Sequence, residues 1–246
     1  NQKGDKKKLI LYVHGWSHSK GIWKSIRQSD QYTHIAIDLP GFGNSTVPKS
    51  FDYSLLSYSN ILKKFVDTLD YDLYAIIAHS MGGLITSLYL NENNTAFKKV
   101  AILGSPFEGL PGLKPWFVIS GLARFVMSLR CITPFFLFKN FAGMTIAKEN
   151  LNKITQEIIK DIKSPSSKTM ASTLKNAAFF HMPNFNIQNK EILIVRGEYE
   201  TILSKEIAEK YSNILNAKLE TMPNISHVHA LEDPENLSKI LDNFLG

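Results

Sequence analysis

Sulfur is scarce in this chain, with a single cysteine among 246 residues. An intrachain disulfide is therefore impossible, and such thiol-poor usage leans towards a reducing compartment. Cys131 lies in an apolar stretch (FVMSLRCITPFF) with no histidine or asparagine beside it to activate a thiolate, so it is not read as a nucleophile. Long apolar runs are missing too: residues 116–129 are broken by Arg124 and fall short of the roughly 20 residues that a membrane span needs. The chain opens on a polar, lysine-rich stretch (NQKGDKKK) with no apolar run behind it, which argues against a secretory leader. Position 1 is not methionine, so removal of an upstream segment is compatible with the sequence. There is no HExxH, no Cys/His cluster, no P-loop and no GxGxxG, hence no motif for a metal, a nucleotide phosphate or a dinucleotide. Nucleic-acid motifs are likewise lacking. The expectation is a cytoplasmic monomer with no cofactor and no metal.

What is present is ordinary in bulk and uneven in charge. Hydrophobic residues make up 44% and charged residues 20%, the balance of a globular protein long enough to bury one large core. The net charge is +6, and residues 107–185 hold ten Lys/Arg against four Asp/Glu, so the excess sits there and the remainder is neutral. A basic segment of this kind suits an acidic partner; a lysine-decorated, solvated helix face gives the same count.

Short apolar runs punctuate both ends of the chain. Residues 9–13 (LILYV), 34–38 (HIAID), 73–78 (LYAIIA), 100–103 (VAIL), 191–195 (EILIV) and 217–221 (AKLET) read as strands. Helical spacing fills the intervals at 54–69, 83–90, 204–214 and 234–244, the last with Asp233 as a cap and Pro234 in its first turn. Strands alternating with helices predict an α/β fold: a mostly parallel sheet with helices on both faces. The alternation stops between 107 and 185, where a Phe-rich, proline-punctuated helical pattern predicts an inserted cap, leaving 1–106 and 186–246 as the core. Few residues precede the first strand, so an opening antiparallel hairpin is expected to be absent or abbreviated.

The strongest chemical signal is the run from strand 73–78 through His79, Ser80, Met81, Gly82 and Gly83 into a helix. A serine on so sharp a strand-to-helix turn has the form of a nucleophile elbow, with small residues, Ala78 and Gly82, two positions either side. The following helix points its N-terminal partial charge at an oxyanion forming beside Ser80. At the end of the first strand, His14-Gly15-Trp16 can present the Trp16 N–H, which with that of Met81 would make a two-donor oxyanion hole. His14 reads as a brace for that turn, and His79 as part of the pocket wall. The base should follow the last strand, where His227 is favoured and His229 is the alternative. For the acid, Glu200 lies three residues after Gly197; Glu198 and Glu108 are the fallbacks. The order Ser80, Glu200, His227 is the one this chemistry takes when built on such a sheet.

Together, His14-Gly15-Trp16, the run DLPGFGNS at 38–45, the elbow around Ser80 and the His227 loop resemble the α/β-hydrolase superfamily. Within it, HGW, DLPGFG and PGLKP at 111–115 are most similar to the pimeloyl-acyl-carrier-protein methyl ester esterases of biotin synthesis. The resemblance implies a Ser80–Glu200–His227 triad, with Trp16 and Met81 donating to the oxyanion. It implies a carboxylesterase passing through a Ser80 acyl-enzyme, on an acyl ester carried by an acidic carrier protein or on a small acyl ester. A basic rim with Arg124 and Arg130 would then meet the carrier, and Trp116, Phe136 and Phe141 would line the acyl channel. The departures are Ala78 for glycine, Glu200 for aspartate and the short N-terminus. Rival readings are a lipase or thioesterase whose apolar, positive cap rests on an anionic membrane, and a non-catalytic receptor of the same fold.

Overall fold

Six segments pair side by side: the four central ones are hydrophobic on both faces and would expose one of them in any smaller arrangement, while two less buried segments flank them. In the computed structural model, which describes residues 7–93, 97–110, 125, 128, 146–153, 159–161, 164–182, 187 and 189–246, they are β1 (Lys8–Val13), β2 (Thr33–Ile37), β3 (Asp72–His79), β4 (Lys99–Leu103), β5 (Glu191–Gly197) and β6 (Lys218–Met222). They form one sheet in the order β2-β1-β3-β4-β5-β6, every pairing parallel. The order reverses at β1/β3, so the loops leaving the carboxyl ends of β1 and β3 diverge and open a crevice there.

Alternate side chains of each strand feed two cores. Leu11, Val13, Ile76, Ala78, Val100, Ile102, Ile192 and Ile194 point to the face covered by α1 (Leu55–Val66), α2 (Met81–Glu92), α3 (Ser167–Ala178) and α4 (Lys205–Leu215). Ile10, Tyr12, Ala75, Ile77, Ala101, Leu103, Leu193 and Val195 point to the other, covered by the short helix Lys20–Trp23 and by α5 (Pro234–Leu245). The helices start where the chain supplies an acceptor: the side chains of Ser54, Ser166, Ser204 and Asp233 each accept the backbone N–H three residues on.

Two boundaries differ from the sequence reading for physical reasons. Asp38 leaves β2 because its carboxylate accepts the N–H groups of Lys20 (2.8 Å) and Asn44 (3.1 Å), closing the loop after the strand. Helix α2 starts at Met81 and not at residue 83. Gly82 and Gly83 sit inside it because they let the helix lie hard against the sheet: a Cβ on Gly82 would come within 2.4 Å of the His14 carbonyl oxygen. Of the residues assigned to the cap, α3 packs Met170, Leu174 and Ala177 into the core that α1 and α2 share. Among the described residues, no helix is long and apolar enough to cross a membrane.

Candidate active site

The chemistry gathers at the carboxyl ends of β3, β5 and β6. Ser80 follows β3 directly with φ 52° and ψ −121°, a conformation an L-residue adopts only at a cost of about 1–3 kcal/mol. The surroundings enforce it. Its N–H donates to the Leu103 carbonyl (2.8 Å), and its own carbonyl accepts from Gly83 N–H (2.9 Å) and the Ser105 hydroxyl (2.9 Å). The hydroxyl is thereby turned out of the strand towards the β6 loop, where His227 Nε2 meets Ser80 Oγ at 2.9 Å. His227 Nδ1 in turn lies 2.8 Å from Glu200 Oε1. With the carboxylate accepting from Nδ1–H, Nε2 is left as the acceptor for the serine proton.

Each partner is held by its own loop. Glu200 follows Gly197, whose missing side chain admits the Ser226 carbonyl; a Cβ there would stand 2.0 Å from that oxygen. The buried Arg196 guanidinium donates to the carbonyls of Leu203, Glu198 and Glu200 (each 3.4 Å), which fixes the turn carrying the acid. Burial pushes the Glu200 carboxyl up, but the His227 charge and hydrogen bond, His229 and the Leu203 N–H outweigh it and hold the group below its ordinary value. Gly104, at φ +59°, leaves room for the imidazole and the carboxylate: a Cβ there would approach His227 Nδ1 to 2.8 Å and Glu200 Oε2 to 3.0 Å.

Several further imidazoles surround the site. His14 Nε2 accepts from Leu39 N–H (3.0 Å), so its Nδ1 carries the proton donated to the Gly15 carbonyl (2.7 Å); it braces the β1 turn, and burial lowers its pKa to about 4. His79 does more than line a wall. Its Nε2–H donates to the His227 carbonyl (2.9 Å), its ring centroid is 4.7 Å from that of His227, and burial among histidines holds it well below the usual imidazole range. His229 is also lowered to about 4, by burial first and against the pull of Glu200. Near neutral pH these three rings are uncharged, so no histidinium of theirs competes with His227 for Glu200.

Comparison with known proteins agrees with the topology. A family model described as alpha/beta hydrolase fold matches residues 8–127. A thermophilic esterase from Thermogutta terrifontis superposes with a TM-score of 0.77 at 18% identity, over 98% of this chain and 90% of that one. This chain has the α/β-hydrolase fold. Among curated relatives, a probable lysophospholipase of Arabidopsis thaliana, BODYGUARD 4, is 28% identical over 120 residues, 47% of this chain and only 28% of the relative's length. Epoxide hydrolase 3 of Xenopus tropicalis is 22% identical over 266 residues, 98% of this chain and 72% of the relative. An α/β-hydrolase scaffold carrying such different labels does not choose a reaction, so the chemistry rests on the residues at the elbow.

On this α/β-hydrolase sheet the candidates for base and acid occupy different places. His229 Nε2 lies 3.8 Å from Glu200 Oε2, behind the acid, whereas it is His227 that meets Ser80. Glu198 turns outward to accept the Asn224 N–H (2.9 Å). Glu108 is far off, taken up by the Lys210 ammonium and the Tyr211 hydroxyl. Met81 opens α2, where its N–H has no intrahelical partner. The backbone at Gly15, next to Trp16, passes so close to the elbow that a Cβ on Gly15 would be 2.9 Å from Ser80 Cβ. Trp16 itself is anchored by its indole N–H, which donates to the Met170 carbonyl of α3 (3.1 Å). Trp116, Arg124, Arg130, Phe136 and Phe141 lie outside the described residues. A groove of about 490 Å³ beside the Asp38 loop, lined by Ile37, Leu62 and Phe65 among others, touches none of Ser80, His227 or Glu200. Among the described residues no cluster of His, Cys, Asp or Glu is placed to hold a metal. Missed from sequence were Ser105, Arg196 and Glu232, which hold the backbone at or beside Ser80, Glu200 and His227 and which no motif advertises.

Proposed function

We propose that this chain is a serine carboxylesterase that works through an acyl-enzyme on Ser80. The observation that carries the proposal is the unbroken Ser80 Oγ–His227–Glu200 hydrogen-bond chain, 2.9 and 2.8 Å, on a strained strand-to-helix corner. Ser80 Oγ attacks the ester carbonyl while His227 Nε2 takes its proton, and Glu200 stabilises the imidazolium that forms. The oxyanion of the tetrahedral intermediate accepts the N–H groups of Met81 and Trp16, with the α2 N-terminus adding its partial positive charge. His227 returns the proton to the departing alkoxide. A water, deprotonated by the same imidazole, then attacks the acyl-enzyme and releases the acid and free Ser80.

The finer proposal is the substrate: a methyl ester of a pimeloyl-type acyl chain borne on an acidic acyl-carrier protein. Its support is the resemblance of HGW, DLPGFG and PGLKP, together with the +6 excess confined to residues 107–185. A small acyl ester is the fallback substrate. A lipid ester is the second reading, favoured by the lysophospholipase relative and by the same basic segment, which would meet anionic headgroups. A fluorophosphonate probe should label wild type at Ser80 and leave Ser80→Ala untouched; equal labelling of both defeats the esterase reading. Turnover of a panel of p-nitrophenyl esters and of the methylated carrier substrate, with carrier-protein pull-down set against liposome flotation, then separates the two substrate classes.

A further inference from the structure

Glu232 is a buried acid that the acyl-transfer scheme does not use. It sits at the end of the short helix His229–Glu232 and is 1% exposed. Four N–H groups converge on its carboxylate. Oε1 accepts from Val228 N–H (3.0 Å), and Oε2 from Ser226 N–H (3.0 Å), Ala147 N–H (2.8 Å) and the Asn150 side-chain amide (3.2 Å). Ser226 and Val228 flank His227. One carboxylate therefore grips the backbone immediately before and immediately after the proposed base, and the loop must curl around it.

The other two donors come from a distant part of the chain, 85 and 82 residues away in sequence. The Asn150 amide also donates to the Asn224 carbonyl (3.3 Å), so the segment at 147–150 is tied to the loop on both sides of His227. Hydrogen bonds in a dry site are costly to leave unmade, and removing this acceptor would strand several buried N–H groups at once. Such a knot is more than loop stability demands, since the Tyr199 carbonyl already receives the Ser226 hydroxyl (3.4 Å) and the His227 carbonyl receives His79.

Building on the acyl-transfer reading above, we infer that Glu232 is a positioning residue. It fixes His227 Nε2 within reach of Ser80 Oγ, and it makes that placement depend on the seating of residues 147–150 against the core. An ångström of drift between reacting groups costs on the order of a hundredfold in rate. In Glu232→Gln one oxygen becomes an NH2 group facing an N–H, so the loop must shift.

The test is a double-mutant cycle on an activated p-nitrophenyl ester. Glu232→Gln should lower kcat roughly 10- to 100-fold with KM within about twofold, and should slow fluorophosphonate labelling of Ser80 in parallel. On a His227→Ala background it should cause no further loss, because it acts only through that ring. Asn150→Ala, which spares both loop donors, should show the same pattern at roughly 3- to 10-fold, and carries the test if Glu232→Gln fails to fold. Wild-type kcat in these variants, or an equal loss with and without His227, overturns the inference. Should Ser80→Ala itself match wild type, it is the esterase reading that has failed.

Discussion

At the scale of single residues, the proposed triad divides into groups that would react and groups that hold them. Glu200 belongs to both: its carboxylate meets His227 Nδ1 and sets which nitrogen of that ring carries hydrogen. Glu200→Gln keeps the volume but offers an amide that can stabilise the wrong tautomer, so kcat should fall about 10³- to 10⁴-fold with secondary structure intact by circular dichroism. Glu200→Asp withdraws the oxygen by a methylene and should retain intermediate activity. A glutamine variant with full activity would mean that the acid lies elsewhere. The spacing to Gly197 put Glu200 ahead of Glu198 as the proposed acid; what no spacing advertises is the Arg196 guanidinium, which fixes the turn carrying both through their main-chain carbonyls.

Elements were readable to the extent that their cause was local. The strand cores and the Asp233 cap stand in the sequence because apolar runs and N-cap acceptors are short-range signals. The start of α2 was misplaced by two residues because glycine usually marks a break, whereas here Gly82 marks a contact. That contact makes a prediction: Gly82→Ala drives a methyl into the His14 and Val13 carbonyls, which are main-chain atoms unable to yield, and should destabilise the fold by about 3 kcal/mol. Asp233→Ala removes only the cap that accepts Asn236 N–H at 3.1 Å and should cost about 1 kcal/mol. Urea midpoints of the two variants check both values, and parity between them would show that the close approach of α2 to β1 is not what fixes the corner. Glu232 carries no sequence signal, because its partners at 147 and 150 meet it only in the fold.

For the molecule as a whole, the buried imidazoles should make folding acid-sensitive. His14 and His229 have pKa values of about 4 in the folded state, against 6.5 for an ordinary histidine. Below pH 6.5 the unfolded chain takes up protons that the folded protein refuses until about pH 4, so stability falls across that window, by about 3 kcal/mol per ring at its acid end. Glu200, held below its ordinary value, adds a loss in the same direction at still lower pH. Urea midpoints should therefore drop markedly between pH 7 and pH 4.5; an unchanged midpoint would count against neutral burial of these rings.

Ser80 and His227 are 147 positions apart, and the strand preceding the histidine is the last to be added at the sheet's edge. During synthesis the hydroxyl-bearing corner is made long before the ring it faces. An unfinished copy holds that corner without its imidazole partner, and the pair is assembled only when the late strand docks.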